Sequence, residues 1–457
     1  MPKDLSEVFV DYAMSIGFDD LPTNVVKEVK RRILDSLGVA LASYSAEPVK
    51  YARLAALGFR GNVPIIGSSQ LTTVDWAAFI NTLMVRYLDF NDTYLSKEPL
   101  HPSDMIGTAL AVSQYLGSSG KEVITALAIG YEAGVRLCDA ASLRAHGWDH
   151  VNYTGIGHLL VAGKLMRVNR EAFINAIAIH ATSHLSTRQN RVGELSHWKA
   201  AATANQARNA VFSVVVASHG LTGPDKPFEG EMGFIRQLLG GEFDYGPMKD
   251  LENLTKPSAI LRTYIKPYPV EYHAQSAVEA SLRIRSELGA IDPSDVESIS
   301  IRTFKAAYDI IVKDPEKWNP KTKETADHSL MWAVATALIN GDLWLSHYEP
   351  SRIRDPRVLE LIKRIKVTVD PELDKQYPQA TPTVVSVKLR NGKETEVKID
   401  YPKGHPMNPM SDDEVEGKFR RLTTGLLTVK QQDEVIRVVW GLEDIKDLAS
   451  LIKATVI

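Results

Sequence analysis

Apolar residues recur at three- and four-residue steps up to about residue 262, the signature of amphipathic helices. A helix is predicted to open at Leu21-Pro-Thr-Asn24, with Val26, Val29, Ile33, Leu37 and Leu41 on one face. The same spacing predicts helices over 74–90, where Phe79, Leu83 and Tyr87 form a stripe, and over 104–116, 121–137, 152–167 and 170–180. Residues 198–219 give another, rich in alanine, whose small side chains allow a neighbouring helix to approach closely. Gly220-Leu-Thr-Gly-Pro224 ends it.

The pattern changes after Lys266-Pro-Tyr-Pro269. A helix over 271–288 precedes 296–304, where Ile299 and Ile301 alternate with polar neighbours as in a strand. A helix over 356–365 leads into an extended segment, 365–369, and then a hairpin of 383–389 and 394–399 about the turn Asn391-Gly392. Helical spacing returns over 411–422, 428–439 and 445–455. These readings predict a mainly α protein: a large helical domain from both chain ends (1–265 and 409–457) and an inserted α+β domain (266–408) able to close over a cleft.

Composition narrows the function. At 457 residues with a net charge of −3, the chain has no bulk attraction for nucleic acid. The acid-bearing N-terminus MPKDLSEVFVDYAMSIGF is unlike a secretory or transit peptide, and no apolar run approaches the ~20 residues that span a bilayer. A cytoplasmic protein without membrane partners is expected. The single cysteine, Cys138, excludes an intrachain disulfide and any cluster held by several of its own thiolates; it is expected to be a buried apolar residue. Neither HExxH nor paired CxxC spacing occurs, so no zinc site and no cofactor are expected. A magnesium ion held partly by substrate carboxylates stays open.

Candidate chemistry concentrates in residues 87–103, YLDFNDTYLSKEPLHPS. Asp89 falls at the end of one predicted helix and His101 just before the next, which Ser103 or Asp104 is expected to cap. The field at a helix start favours anions and disfavours an imidazolium, leaving a neutral histidine able to accept a proton. Gly147-Trp-Asp-His-Val151 repeats that geometry for His150; Ser196-His-Trp-Lys199 and Lys266-Pro-Tyr-Pro-Val-Glu-Tyr-His273 add lysines and a histidine. Each has a plainer reading. Asp89, Asp92, Asp327 and His328 serve equally as caps, Lys199, Arg188 and Arg191 as surface charges, and Trp198 as core. The residues alone point to a helical protein with acid/base groups suited to an anion.

Leu88-Asp-Phe-Asn-Asp-Thr93, Leu100-His-Pro-Ser-Asp104, Trp148-Asp-His-Val151, His197-Trp-Lys199 and Lys266-Pro-Tyr-Pro269 with His273 resemble, in order, the motifs of the MmgE/PrpD family. The likeness is greatest to the branch that dehydrates 2-methylcitrate, whose spacing across 94–100 this chain shares better than that of the decarboxylase branch. The resemblance implies a helical domain with a smaller α+β lid, a homodimer, and a metal-independent site between the domains. It implies elimination of water from a small tricarboxylate, 2-methylcitrate, to 2-methyl-cis-aconitate, with side activity on citrate. His101 and His150 would be the catalytic proton-transfer pair, Asp89 would orient a histidine or relay a proton, and Lys199 would hold the carboxylates and the developing enediolate. Thr93, Lys266, His273 and Arg188 would bind substrate. Cis-aconitate decarboxylase, an iminodisuccinate epimerase and a non-catalytic tricarboxylate-binding protein stay as alternatives.

Overall fold

A computed structural model describes residues 3–193 and 195–457. Helix accounts for 59% of the structure and strand for only 9%, so the protein is mainly α. The chain divides into two compact units, one of residues up to Thr263 together with Ser411–Ile457, the other Tyr264–Met410.

The first unit is helical because its apolar stripes meet one another. Val25, Val29, Ile33, Leu37 and Leu41 are buried along helix Thr23–Ala42, whereas Val26 sits at the edge of that face. Helix Met105–Leu116 lies so close to helix Val74–Tyr87 that a Cβ on Gly107 would stand 2.4 Å from the Thr82 backbone nitrogen. That approach holds the ends of the intervening 88–104 loop together. Helix Gly120–Ala140 starts from a capping box between Ser119 and Glu122 and buries Cys138. Helices Val151–Leu165, Arg170–Ser183 and Trp198–Ser218 pack on one another, the first of them also against Gly120–Ala140, and Asp412–Thr423 returns against Thr23–Ala42. Among the described residues no helix is long and apolar enough to cross a membrane.

In the second unit a four-stranded sheet runs in the order Ile365–Val369, Val296–Thr303, Thr383–Leu389, Glu394–Ile399. The first pair is parallel and the others antiparallel, with Ile299 opposite Ile365 and Ile301 opposite Val385. Ile299, Ile301, Val385 and Ile399 bury one face beneath helix Gln275–Leu288, on which helix Leu330–Asn340, carrying the buried Trp332, packs in turn. The first of these helices begins later than the spacing predicts, because Tyr272–Ala274 forms a 3-10 turn.

Candidate active site

Helix Val74–Tyr87 ends at Leu88, and Asp89 follows with φ 54°. This left-handed turn costs a residue with a Cβ ~1–2 kcal/mol, and Asp is among the few that adopt it. Its carboxylate is held by buried cations: Arg86 bonds Oδ1 at 2.6 Å, and Lys199 Nζ lies 3.5 Å from Oδ2. Lys199 is thus an interior charge and not the surface charge its residue type suggests. Consecutive helical residues point about 100° apart, so burying Lys199 turns Trp198 outward, 48% exposed. The expectation that Trp198 is core is wrong for that reason.

The other end of the loop carries His101. Its Nδ1 lies 2.8 Å from the Asp92 carbonyl and 3.1 Å from Thr93 Oγ1. A carbonyl only accepts, so Nδ1 bears the hydrogen and Nε2 is the nitrogen able to take a proton. Asp92 is clamped in turn, Oδ1 accepting the Ser103 N–H at 2.8 Å and Oδ2 the Tyr131 hydroxyl at 2.8 Å. The expected cap is corrected here. Ser103 Oγ accepts from Asn91 Nδ2 and the Asp92 N–H, closing the loop on itself, and Asp104 makes no cap bond. Burial pushes the Asp104 carboxyl up to about 7 despite the nearby charge of Arg86.

His150 sits at the start of helix Val151–Leu165, its ring centroid 5.6 Å from that of His101 and inclined by 61°. Its Nδ1 is 3.2 Å from Asp149 Oδ1, which favours the hydrogen on Nδ1; Nε2 has no hydrogen-bond partner among the described residues. Burial, helped by the charges of Arg191, Arg86 and Arg188 against the pull of Asp149, pushes His150 down to about 3. Asp149 moves the other way. Burial raises it, but Arg191, bonded through Nε at 2.9 and 3.1 Å, and His150 hold it below the ordinary carboxylate value. Arg191 is therefore a half-buried ion-pair partner and not a solvated charge. Arg188 is half-buried, its backbone N–H bonding the Gly147 carbonyl at 2.9 Å.

The second unit holds Lys266 and His273. Lys266 is buried, next to Ile265, whose N–H bonds the Gly404 carbonyl at 3.2 Å. His273 Nδ1 lies 2.7 Å from Glu271 Oε1, and its Nε2 3.3 Å from the Tyr377 hydroxyl. Burial works against charge on Glu271, yet His273, His328 and Lys266 hold it down at about 2. Asp327 pairs with Lys323 at 2.7 Å and with His328, while Ser329 caps the following helix through the Trp332 N–H at 3.1 Å. Sequence reasoning passed over Glu271, which lay inside a motif already noticed. It also missed Tyr377, 104 residues from its partner and without a local signal. A cavity of ≈ 400 Å³ in the first unit, lined by Phe18, Lys121, Lys164 and Phe173 among others, contains none of the candidate site residues.

The fold and these groups define a class: a mainly helical two-unit protein with imidazoles buried among paired cations. Residues 7–246 match the MmgE/PrpD N-terminal domain and residues 268–444 the MmgE/PrpD C-terminal domain. The chain belongs to the MmgE/PrpD family of enzymes. It is 27% identical to the 2-methylcitrate dehydratase of Escherichia coli (strain K12) over 79% of this chain and 78% of that one. With the 2-methylcitrate dehydratase of Cupriavidus necator it shares 28% over 88% and 86%. With the cis-aconitate decarboxylase of Mus musculus it shares 24% over 99% and 93%.

Proposed function

We propose that the enzyme is a hydro-lyase that removes water from 2-methylcitrate, giving 2-methyl-cis-aconitate without a metal ion, and accepts citrate as a lesser substrate. The observation that carries this reading is the His101–His150 pair: two rings 5.6 Å apart, with the tautomer of His101 set by the Asp92 carbonyl. Removing a proton beside a carboxylate moves negative charge onto that carboxylate, so the reaction needs a base and fixed cations. His101 Nε2 is assigned as the base. His150 is assigned as the acid at the departing hydroxyl, once substrate has raised its proton affinity. Asp89 fixes Lys199 and Arg86 beside them; Lys199 and Arg188 meet substrate carboxylates, and Thr93 a substrate oxygen. A homodimer and a cytoplasmic location are proposed with this activity.

The test incubates metal-stripped protein with 2-methylcitrate and follows the ultraviolet absorbance of the conjugated alkene, with product mass as the second readout. Loss of water is the expected result. His101→Ala should lower turnover by about two to four powers of ten; undiminished turnover refutes the base assignment. The relative named cis-aconitate decarboxylase, which covers nearly the whole chain, motivates a second reading. Loss of carbon dioxide from cis-aconitate would establish it. An unchanged mass with an inverted centre indicates an epimerase, and saturable tricarboxylate binding without turnover a binding protein.

A further inference from the structure

The C-terminal return contributes a group to the environment of His101. Lys418, on helix Asp412–Thr423, is buried, with Nζ 2.6 Å from Asp35 Oδ1. The same ammonium donates to the Phe90 carbonyl at 2.9 Å and stands 3.8 Å from the Phe90 ring centroid. Asp35 belongs to helix Thr23–Ala42, as does Arg32, whose Nε is 3.4 Å from Asp92 Oδ2. Arg32 is itself anchored on the Thr263 carbonyl at 2.9 Å. The Phe90–Asp92 segment is therefore gripped at both ends by buried cations from opposite ends of the sequence. Its last carbonyl is the one that takes the His101 Nδ1–H.

Burying an ammonium–carboxylate pair costs several kcal/mol of desolvation, and an apolar pair of similar volume commonly stabilises a fold as well or better. Stability alone thus explains the Lys418–Asp35 pair poorly. The backbone it holds explains it better: displacing the Phe90 carbonyl moves the Asp92 carbonyl two residues on, and that carbonyl decides which imidazole nitrogen bears the hydrogen.

We propose that Lys418 and Asp35 are positioning residues for His101, so that the C-terminal segment sets the tautomer and ring orientation of the proton-transfer group. This rests on the reading of His101 given above. The test replaces the pair together, Lys418→Met with Asp35→Asn, so that neither charge is left buried alone. The double variant should fold, lose about ten- to a hundredfold in kcat with KM little changed, and show a mixed His101 tautomer. The tautomer is read from the imidazole nitrogen shifts of ¹⁵N-histidine-labelled protein, with His101→Ala supplying the assignment. A folded double variant with wild-type kcat and an unchanged tautomer overturns the proposal. If the double variant does not fold, Lys418→Arg is read instead. Its planar head group cannot meet Asp35 and the Phe90 carbonyl with the same geometry, so kcat should fall and the tautomer shift, and wild-type values of both overturn the proposal. Full turnover in His101→Ala would refute the base assignment by itself, while the nitrogen shifts still report whether the pair positions the ring.

Discussion

Binding of the tricarboxylate should draw a proton onto His150. Burial and three arginines push this imidazole down to about 3, so at neutral pH it holds no proton to give to a leaving hydroxyl. Bringing it to half-protonation at pH 7 takes about four pKa units, or ~5.4 kcal/mol at 1.36 kcal/mol per unit. One carboxylate about 5 Å away, at an effective dielectric constant of about 20, supplies ~3.3 kcal/mol. Two supply ~6.6 kcal/mol, enough to move the equilibrium before the remaining repulsion from Arg191, Arg86 and Arg188 is screened. Calorimetric titration of 2-methylcitrate at pH 7, in buffers of differing ionisation enthalpy, reads the proton count directly. Wild type should take up about half a proton or more per site, and His150→Gln essentially none, with kcat falling in parallel. Zero uptake by wild type, or equal uptake by His150→Gln, refutes the assignment of His150 as acid.

Lys199→Met should act mainly on binding: losing a charged hydrogen bond worth ~1.5–3 kcal/mol raises KM by about ten- to 150-fold, measured in steady-state assays. Asp89→Asn tolerates the left-handed backbone but leaves Arg86 and Lys199 without their carboxylate, a loss of ~3–5 kcal/mol. Asp89→Ala should lose ~1–2 kcal/mol more, because alanine is strained at φ 54°; urea denaturation compares the two. Glu271 is depressed from 4.5 to about 2, so its contribution is complete above pH 4.5 and is lost as pH falls towards 2. Its full size is ~3.4 kcal/mol at 1.36 kcal/mol per unit. Glu271→Gln should flatten that acid limb in stability curves, and an unchanged limb counts against the ion pair with His273.

Long apolar stripes made the helices legible. Helix Arg170–Ser183 and the hairpin about Asn391-Gly392 follow local spacing and turn chemistry that neighbours do not override. Tertiary contacts decide what the spacing missed. The parallel pairing of Val296–Thr303 with Ile365–Val369 depends on contacts far apart in sequence, and no local pattern announces it. The grouping of Asp89 with Lys199, of Thr93 with His101 and of His101 with His150 follows from helices meeting, so motif residues alone could only nominate them. Electrostatic surroundings were the least legible. Whether Arg191 is solvated or locked on Asp149, and whether Asp104 ionises near 4 or is pushed up to about 7, depends on burial that residue type does not reveal.

The same burial bears on which reaction the site favours. Dehydration and decarboxylation both accumulate negative charge beside a carboxylate, so the cations that stabilise one stabilise the other. They differ in what the leaving group asks of the protein. Carbon dioxide departs without a proton, whereas hydroxide departs readily only if an acid protonates it. On the proposed assignment, an imidazole kept neutral until a polyanion arrives would act as a selectivity device, carrying a proton only beside a ligand with enough negative charge. A dianion, giving fewer close carboxylates, should load His150 less fully than a trianion. The ratio of proton uptake for a dicarboxylate and a tricarboxylate therefore ought to follow the ratio of their turnover, and equal uptake with unequal turnover would place the discrimination elsewhere.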